Sequence, residues 1–149
     1  MNTKERLYAF CEVFVKTRLT RIHRDIDQVQ EALASETKSS AGDKHETGRA
    51  MLQLEREKLG QQLKEAEKMN QILVKVPVHA GATRIGLGSW VKTSKANYYL
   101  GISAGAYTEN EETIFCISMA TPIAKALFGK SVGDTAIFND TTLVIEQVM

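Results

Sequence analysis

The sequence predicts an α+β fold: an N-terminal antiparallel α-helical coiled-coil hairpin over residues 1–73, then a β-rich domain over residues 74–149. Three observations carry this. Before position 80 the glycines are Gly42, Gly48 and Gly60, whereas seven more follow from Gly81 onward, and both prolines, Pro77 and Pro122, are late. No aromatic residue occurs between Phe14 and Trp90. The apolar pattern also changes, from helical spacing to short β-branched runs, near Val74–Val78. A long stretch of Glu, Lys, Gln, Arg, Leu and Ala without proline favours helix, and scattered glycines among β-branched runs favour sheet with turns.

The first helix carries Val15, Leu19, Ile22, Ile26, Val29 and Leu33, spaced 4, 3, 4, 3, 4. That is a heptad seam. Leu7, Cys11 and Phe14 extend it toward the N-terminus with a small shift of phase. The second helix repeats the pattern with Leu52, Leu59, Leu63, Ala66 and Leu73, interrupted by Arg56 and Asn70. Gly60 inside it costs about 1 kcal/mol relative to alanine. Between the seams lies Thr37-Lys38-Ser39-Ser40-Ala41-Gly42-Asp43, a set of turn and cap residues, so the tip falls near residues 37–47. Arms of about 30 residues span roughly 45 Å at the helical rise. Two helices bury only one seam between them, so such a hairpin offers its outer faces to a partner, or folds back or dimerises.

In the second half, Ser89–Thr93, Asn97–Ile102 and Thr113–Ser118 read as strands. Thr121-Pro122 supplies an N-cap and a proline at the first helical position, Ile123–Phe128 a short helix, and Gly129 its left-handed stop. Gly133-Asp134 turns the chain into Thr135–Phe138, and Asn139-Asp140 makes the hairpin turn into Thr142–Val148.

Composition bounds the function classes. The net charge is +1 over 149 residues, so bulk attraction to nucleic acid is not supported and only a local patch could bind it. No apolar run approaches the roughly 18 residues of a membrane span. The N-terminus lacks the apolar core of a secretory signal. Cys11 and Cys116 lie far apart in sequence and have no metal-ligand spacing, which predicts a cytoplasmic protein with reduced, buried thiols. His23, His45 and His79 have no partners at ligand spacing, and Gly86-Leu87-Gly88-Ser89 is too short for a phosphate loop.

The stretch Ser118-Met119-Ala120-Thr121-Pro122-Ile123-Ala124-Lys125-Ala126-Leu127-Phe128-Gly129-Lys130-Ser131-Val132-Gly133-Asp134 resembles the C-terminal signature of bacterial Gre transcript-cleavage factors. That signature runs Ser-Pro-Leu-Gly-Lys-Ala-Leu-Leu-Gly-Lys-x-x-Gly-Asp. Thr121 here replaces its serine, and Ala124 its first glycine. The resemblance implies an N-terminal coiled coil and an FKBP-like C-terminal domain. It implies bacterial RNA polymerase as partner, docked through the globular domain; we place that docking at Thr121, Pro122, Lys125 and Lys130. It further implies that the coiled coil enters the secondary channel. There a tip pair of the form Asp-x-x-Glu helps the polymerase hold its second Mg²⁺ while backtracked RNA is cut by the polymerase itself. The matching pair is Asp43 and Glu46. The protein would then be an accessory factor rather than an enzyme, meeting the nascent RNA 3′ end indirectly, with no membrane and no specific DNA sequence.

Residue chemistry leaves two readings of that pair open. Carboxylates at i and i+3 of a helix start can face one way and hold a weakly bound Mg²⁺. The same two positions also make an N-cap and a capping box. Where the family tip continues Asn-Ala-Glu-Tyr, this chain has Thr47-Gly48-Arg49-Ala50. Lys44, His45 and Arg49 place positive charge beside the carboxylates, which weakens Mg²⁺ binding or grips RNA phosphate. Lys16, Arg18, Arg21 and Arg24 form a basic stretch on the first helix. Arg18 and Arg21 share a face, so Arg18, Arg21, Lys44 and Arg49 are the RNA-contact candidates, with a solvated helix surface as the plain alternative. Competing readings are a channel binder that modulates or inhibits transcription without stimulating cleavage, an FKBP-like prolyl isomerase, and a structural dimer.

Overall fold

The computed structural model describes residues 1–38 and 43–149, with side chains at all of these except 37, 38 and 43–45. Helix α1 runs Thr3–Lys38 and helix α2 Asp43–Lys75. Strands β1 (Trp90–Thr93), β2 (Asn97–Gly101), β3 (Gly105–Glu109) and β4 (Glu112–Ser118) follow, then helix α3 (Pro122–Leu127) and strands β5 (Thr135–Phe138) and β6 (Thr141–Val148). The fold is α+β, a helical hairpin followed by a sheet domain. Contacts divide the chain into two compact units, one of Val15–Asn70 and one of Met1–Phe14 with Gln71–Met149.

The first unit is the body of the hairpin. Ile22 and Ile26 of α1 bury against Leu59 and Ala66 of α2, with Leu19, Val29 and Leu63 packed around them. Each such burial is worth about 1.5–3 kcal/mol per large side chain. The pairing is antiparallel. Arg18 Nη1 donates to Met69 Sδ at 3.4 Å, while near the other end the Glu36 carboxylate lies 3.7 Å from where a side chain on Gly48 would begin. The predicted seam between residues 15 and 70 is the contact surface. Arg56 and Gly60 belong together, because the Arg56 guanidinium lies 3.3 Å from where a Gly60 side chain would begin. Arg56 thus lies along the helix surface that the glycine leaves bare, and α2 continues unbroken through Gly60.

The second unit is a six-stranded sheet in the order β3-β4-β2-β1-β6-β5, antiparallel throughout except for parallel β2 and β4. One face carries Val91, Leu100, Ala136, Leu143 and Ile145, covered by Ile123, Ala124 and Leu127 of α3 and by Ile85. Side-chain alternation puts Tyr99, Ile114 and Cys116 on the opposite face, and all three are buried. The first turns of α1 supply contacts there. Phe10 packs against Tyr107 with the rings tilted by 58° and their centroids 5.3 Å apart. Thr3 Oγ1 donates to Glu109 Oε2 at 2.9 Å, and Arg6 Nε donates to Glu109 Oε1.

Two expectations change here. Leu7 and Cys11 do not continue the hairpin seam; they lie in the sheet unit, buried at 0% exposure. The phase shift in their spacing falls in the part of α1 that belongs to the sheet unit. Strand β3 is also new. Gly105-Ala106-Tyr107-Thr108-Glu109 has a single large apolar side chain and occupies a sheet edge, so the apolar pattern does not reveal it.

Local chemistry fixed the remaining turns as expected. Thr121 Oγ1 accepts from Ala124 N at 3.3 Å and donates to Ser118 O at 2.8 Å, capping α3 ahead of Pro122. Gly129 has φ +79°. Asn139 and Asp140 have φ of 50° and 60°, as do Asn110 and Glu111 at 50° and 65°, the signature of type I′ hairpin turns.

Candidate functional site

The tip of the hairpin comes first. Asp43 opens α2 and Glu46 stands one turn further on, so the backbone sets the two positions on one side of the first turn. Glu46 is exposed. The side chains of Asp43, Lys44 and His45, and with them both the capping and the metal-holding expectations for Asp43, lie outside the described residues. Among the described residues no group of three or more His, Cys, Asp or Glu could hold a metal ion. The donors on offer are two carboxylates, which suit a hard cation such as Mg²⁺ but are too few to complete its shell alone.

Gly48 lies in the second turn of α2. It sits across from Glu36, whose carboxylate comes within 3.7–3.9 Å of where a side chain would begin. Arg49 is half-buried and already has an interaction of its own.

The basic stretch of α1 resolves into two different surfaces. Lys16, Thr17, Thr20, Arg21 and Arg24 line a shallow groove of about 410 Å³. All five side chains are exposed, so three cations and two hydroxyls share one helical stripe. Arg18 instead turns toward α2 and Met69. Arg18 and Arg21 also line a second groove, of about 260 Å³, with Ile22, Gln62 and Glu65. Glu65 sets a negative charge beside those two arginines. The threonines of this stripe were missed in the sequence, although Lys16, Thr20 and Arg24 stand at i, i+4 and i+8, and Thr17 and Arg21 at i and i+4.

In the sheet unit, Thr121 is half-buried by its capping bonds, Pro122 and Lys125 are exposed, and Lys130 is half-buried. The Lys130 carbonyl accepts from Ile85 N at 2.9 Å and Gly129 N donates to Ile85 O at 2.8 Å, which pins the loop after α3. Asp134 accepts from Ser131 N at 2.8 Å and, through its carbonyl, from Ile145 N at 2.9 Å. The residues of the Gre-like signature therefore have local structural work: cap, stop and turn. Two exposed apolar side chains, Phe128 and Val132, stand in the same stretch and were not singled out in the sequence. A separate, almost wholly apolar cavity of about 350 Å³ is lined by Ile72, Lys75, Leu87, Gly101, Ser118, Met119 and Ala120.

Fold and surfaces together define an α+β protein with a two-helix hairpin, whose second helix opens at Asp43, and a sheet domain bearing a capped, exposed α3 loop. No protein-family model and no curated protein matches the sequence. Among solved structures it is similar to GreA factor homolog 1 (Gfh1) of Thermus thermophilus, at 22% identity over 91% of this chain and 92% of that one, with a TM-score of 0.36. A structure of the transcription factor Gfh1 matches at 20% identity over 90% of each chain, with a TM-score of 0.35. No helix of the described residues is long and apolar enough to cross a membrane.

Proposed function

We propose that this chain is a Gre-type accessory factor of bacterial RNA polymerase that inserts its hairpin into the secondary channel and promotes cleavage of backtracked RNA. The observation that carries the reading is the pairing, in one chain, of a two-helix hairpin whose second helix opens on Asp43-x-x-Glu46 with the Ser118–Asp134 signature folded as cap, short helix, left-handed stop and turn. The first element delivers carboxylates; the second presents Pro122, Lys125 and Phe128 to a docking partner. Asp43 and Glu46 would complete the shell of a Mg²⁺ held mainly by the polymerase, and the metal, when bound, supplies a polarised water and charge neutralisation at the scissile phosphate. The exposed stripe of Lys16, Arg21 and Arg24 would meet RNA phosphate, with Lys44 following Asp43 in the sequence.

The isomerase reading finds less support. The apolar cavity of the sheet unit is lined by aliphatic and small residues, without an aromatic side chain. A second reading, channel binding without cleavage, is favoured by Lys44 and His45 next to Asp43, since nearby cations weaken a carboxylate's hold on Mg²⁺. A transcript-cleavage assay on stalled bacterial polymerase separates the two. Shortened RNA in the presence of the protein supports the first; binding that an authentic Gre factor competes away, with no shortening, supports the second. Absence of binding removes both.

A further inference from the structure

The apolar cavity of about 350 Å³ in the sheet unit has a cause in the sequence. The parallel strands β2 and β4 end on the register pair Gly101 and Ser118, two steps beyond Tyr99 and Cys116. Side-chain alternation puts Gly101 and Ser118 on the face that carries Tyr99 and Cys116. Tyr99 fills that face, whereas Gly101 has no side chain and Ser118 a short one, so the end of the sheet is hollow. Gly101 lies outside the left-handed region, and a side chain there would begin 3.5 Å from Val76 Cγ2 and 3.9 Å from Tyr99 Cε2. Those are ordinary contacts, so neither backbone conformation nor close packing demands glycine at this position. Ile72 and Lys75, three apart on one side of α2, wall the cavity together with Leu87 and Met119. Lys75 is exposed and is the one ionisable residue of the lining. Ser118 N donates to Ser103 Oγ at 3.0 Å and its carbonyl accepts from Thr121 Oγ1 at 2.8 Å, which leaves its hydroxyl to the cavity. All of these residues belong to one compact unit.

We propose that this cavity binds a small alkyl carboxylate, its chain over Gly101 against Ile72, Leu87 and Met119 and its carboxylate at the mouth on the Lys75 ammonium. The volume sets the size. A cavity of about 150 Å³ takes one benzene, so this one takes a ligand of about ten to twelve non-hydrogen atoms, the size of octanoate or decanoate. The lining sets the class. A polar ligand would give up its water where almost no group replaces it, which excludes sugars and nucleotides. An apolar chain loses nothing there and gains by leaving water. The single lysine sets the sign: it attracts a carboxylate, repels an amine and is indifferent to an alcohol. The unbranched Met119 side chain adapts to chains of different length. The site shares no residue with the hairpin tip or with the exposed side chains of α3, so it stands independently of the polymerase reading.

The test titrates the full chain, labelled at its methyl groups, with sodium octanoate and follows it by NMR, with hexanoate, decanoate and 1-octanol for comparison. The expected result is saturation of one site, with methyl shifts centred on Ile72, Leu87 and Met119. Each methylene from hexanoate to octanoate should tighten binding about fourfold. Octanoate should bind about threefold more tightly than octanol, the modest gain of an exposed ion pair. Lys75→Gln should bring octanoate to the level of octanol and leave octanol unchanged. Gly101→Ala places a methyl in the floor and should weaken both ligands about threefold while the fold is retained. Should that variant fold poorly, Lys75→Gln and the chain-length series decide alone. Shifts centred outside the cavity, binding that does not saturate, or affinity independent of chain length would each overturn the proposal. So would equal binding of octanoate and octanol, octanoate binding untouched by Lys75→Gln, or full affinity in a folded Gly101→Ala chain.

Discussion

The Arg6 guanidinium donates to the Glu109 carboxylate across 103 positions of sequence, tying the first turns of α1 to the edge strand β3. Thr3 and Tyr107 hydroxyls donate to the same carboxylate at 2.9 and 3.1 Å. The Arg6 hydrogen bond is the largest cause that lowers the Glu109 carboxyl to about 2. A depressed folded-state value stabilises the fold at pH above the ordinary carboxylate value of about 4.3, and that contribution disappears as pH falls toward 2. Glu109→Gln should therefore melt below wild type by a constant margin from pH 7 to pH 5, and the margin should vanish between pH 4 and pH 2. A margin independent of pH down to 2 would show that the ion pair contributes nothing.

Two glycines should respond oppositely to alanine. Gly60 lies in α2, where alanine is favoured by about 1 kcal/mol. The obstacle is the flexible end of Arg56 at 3.3 Å, which can move aside. Gly60→Ala should raise stability by roughly 0.5–1 kcal/mol. Gly88 has φ +86°, and a side chain there would meet the Pro77 carbonyl oxygen at 2.9 Å. Gly88→Ala should cost about 2 kcal/mol or more through strained backbone and the clash. Urea denaturation of both variants reads the signs directly.

What the sequence disclosed was local. Thr121, Pro122 and Gly129 act on neighbours within a turn, and Asn139-Asp140 answers to the hairpin's own geometry, so residue type alone carries the signal. The hairpin seam from Val15 to Leu33 was legible because a helix repeats its contacts at fixed spacing. The contact of Arg6 with Glu109 was not, because it joins elements 103 positions apart. Leu7 and Cys11 show the ambiguity best: an apolar stripe reveals which face is buried, never whether a helix or a sheet covers it. At the tip the obstacle is chemical, since an N-cap and a Mg²⁺ ligand ask for the same aspartate.

The α3 loop allows fold and docking to be separated. Thr121→Ala removes the hydroxyl that accepts from Ala124 N and should cost about 1 kcal/mol, which Thr121→Ser should restore. Lys125 is exposed and plays no part in that cap. Lys125→Glu should leave stability within about 0.5 kcal/mol yet weaken binding to bacterial RNA polymerase by roughly tenfold, if this face docks. Equal binding by wild type and Lys125→Glu, measured by competition with an authentic Gre factor, would move the docking surface elsewhere.

Asp43→Asn tests the tip. Asparagine caps a helix about as well as aspartate but brings no negative charge to a cation. If Asp43 serves only as a cap, the variant should melt with wild type and behave identically toward stalled polymerase. If Asp43 helps to hold Mg²⁺, melting should again be unchanged while RNA cleavage falls by about tenfold or more, since a ligand to a catalytic metal contributes several kcal/mol at the transition state. Glu46→Gln, with Glu46 exposed one turn along, should lower cleavage in the same direction. Raising Mg²⁺ should recover part of the loss in either variant, because a weakened site fills at higher metal concentration; recovery would not occur if the carboxylates only positioned the hairpin.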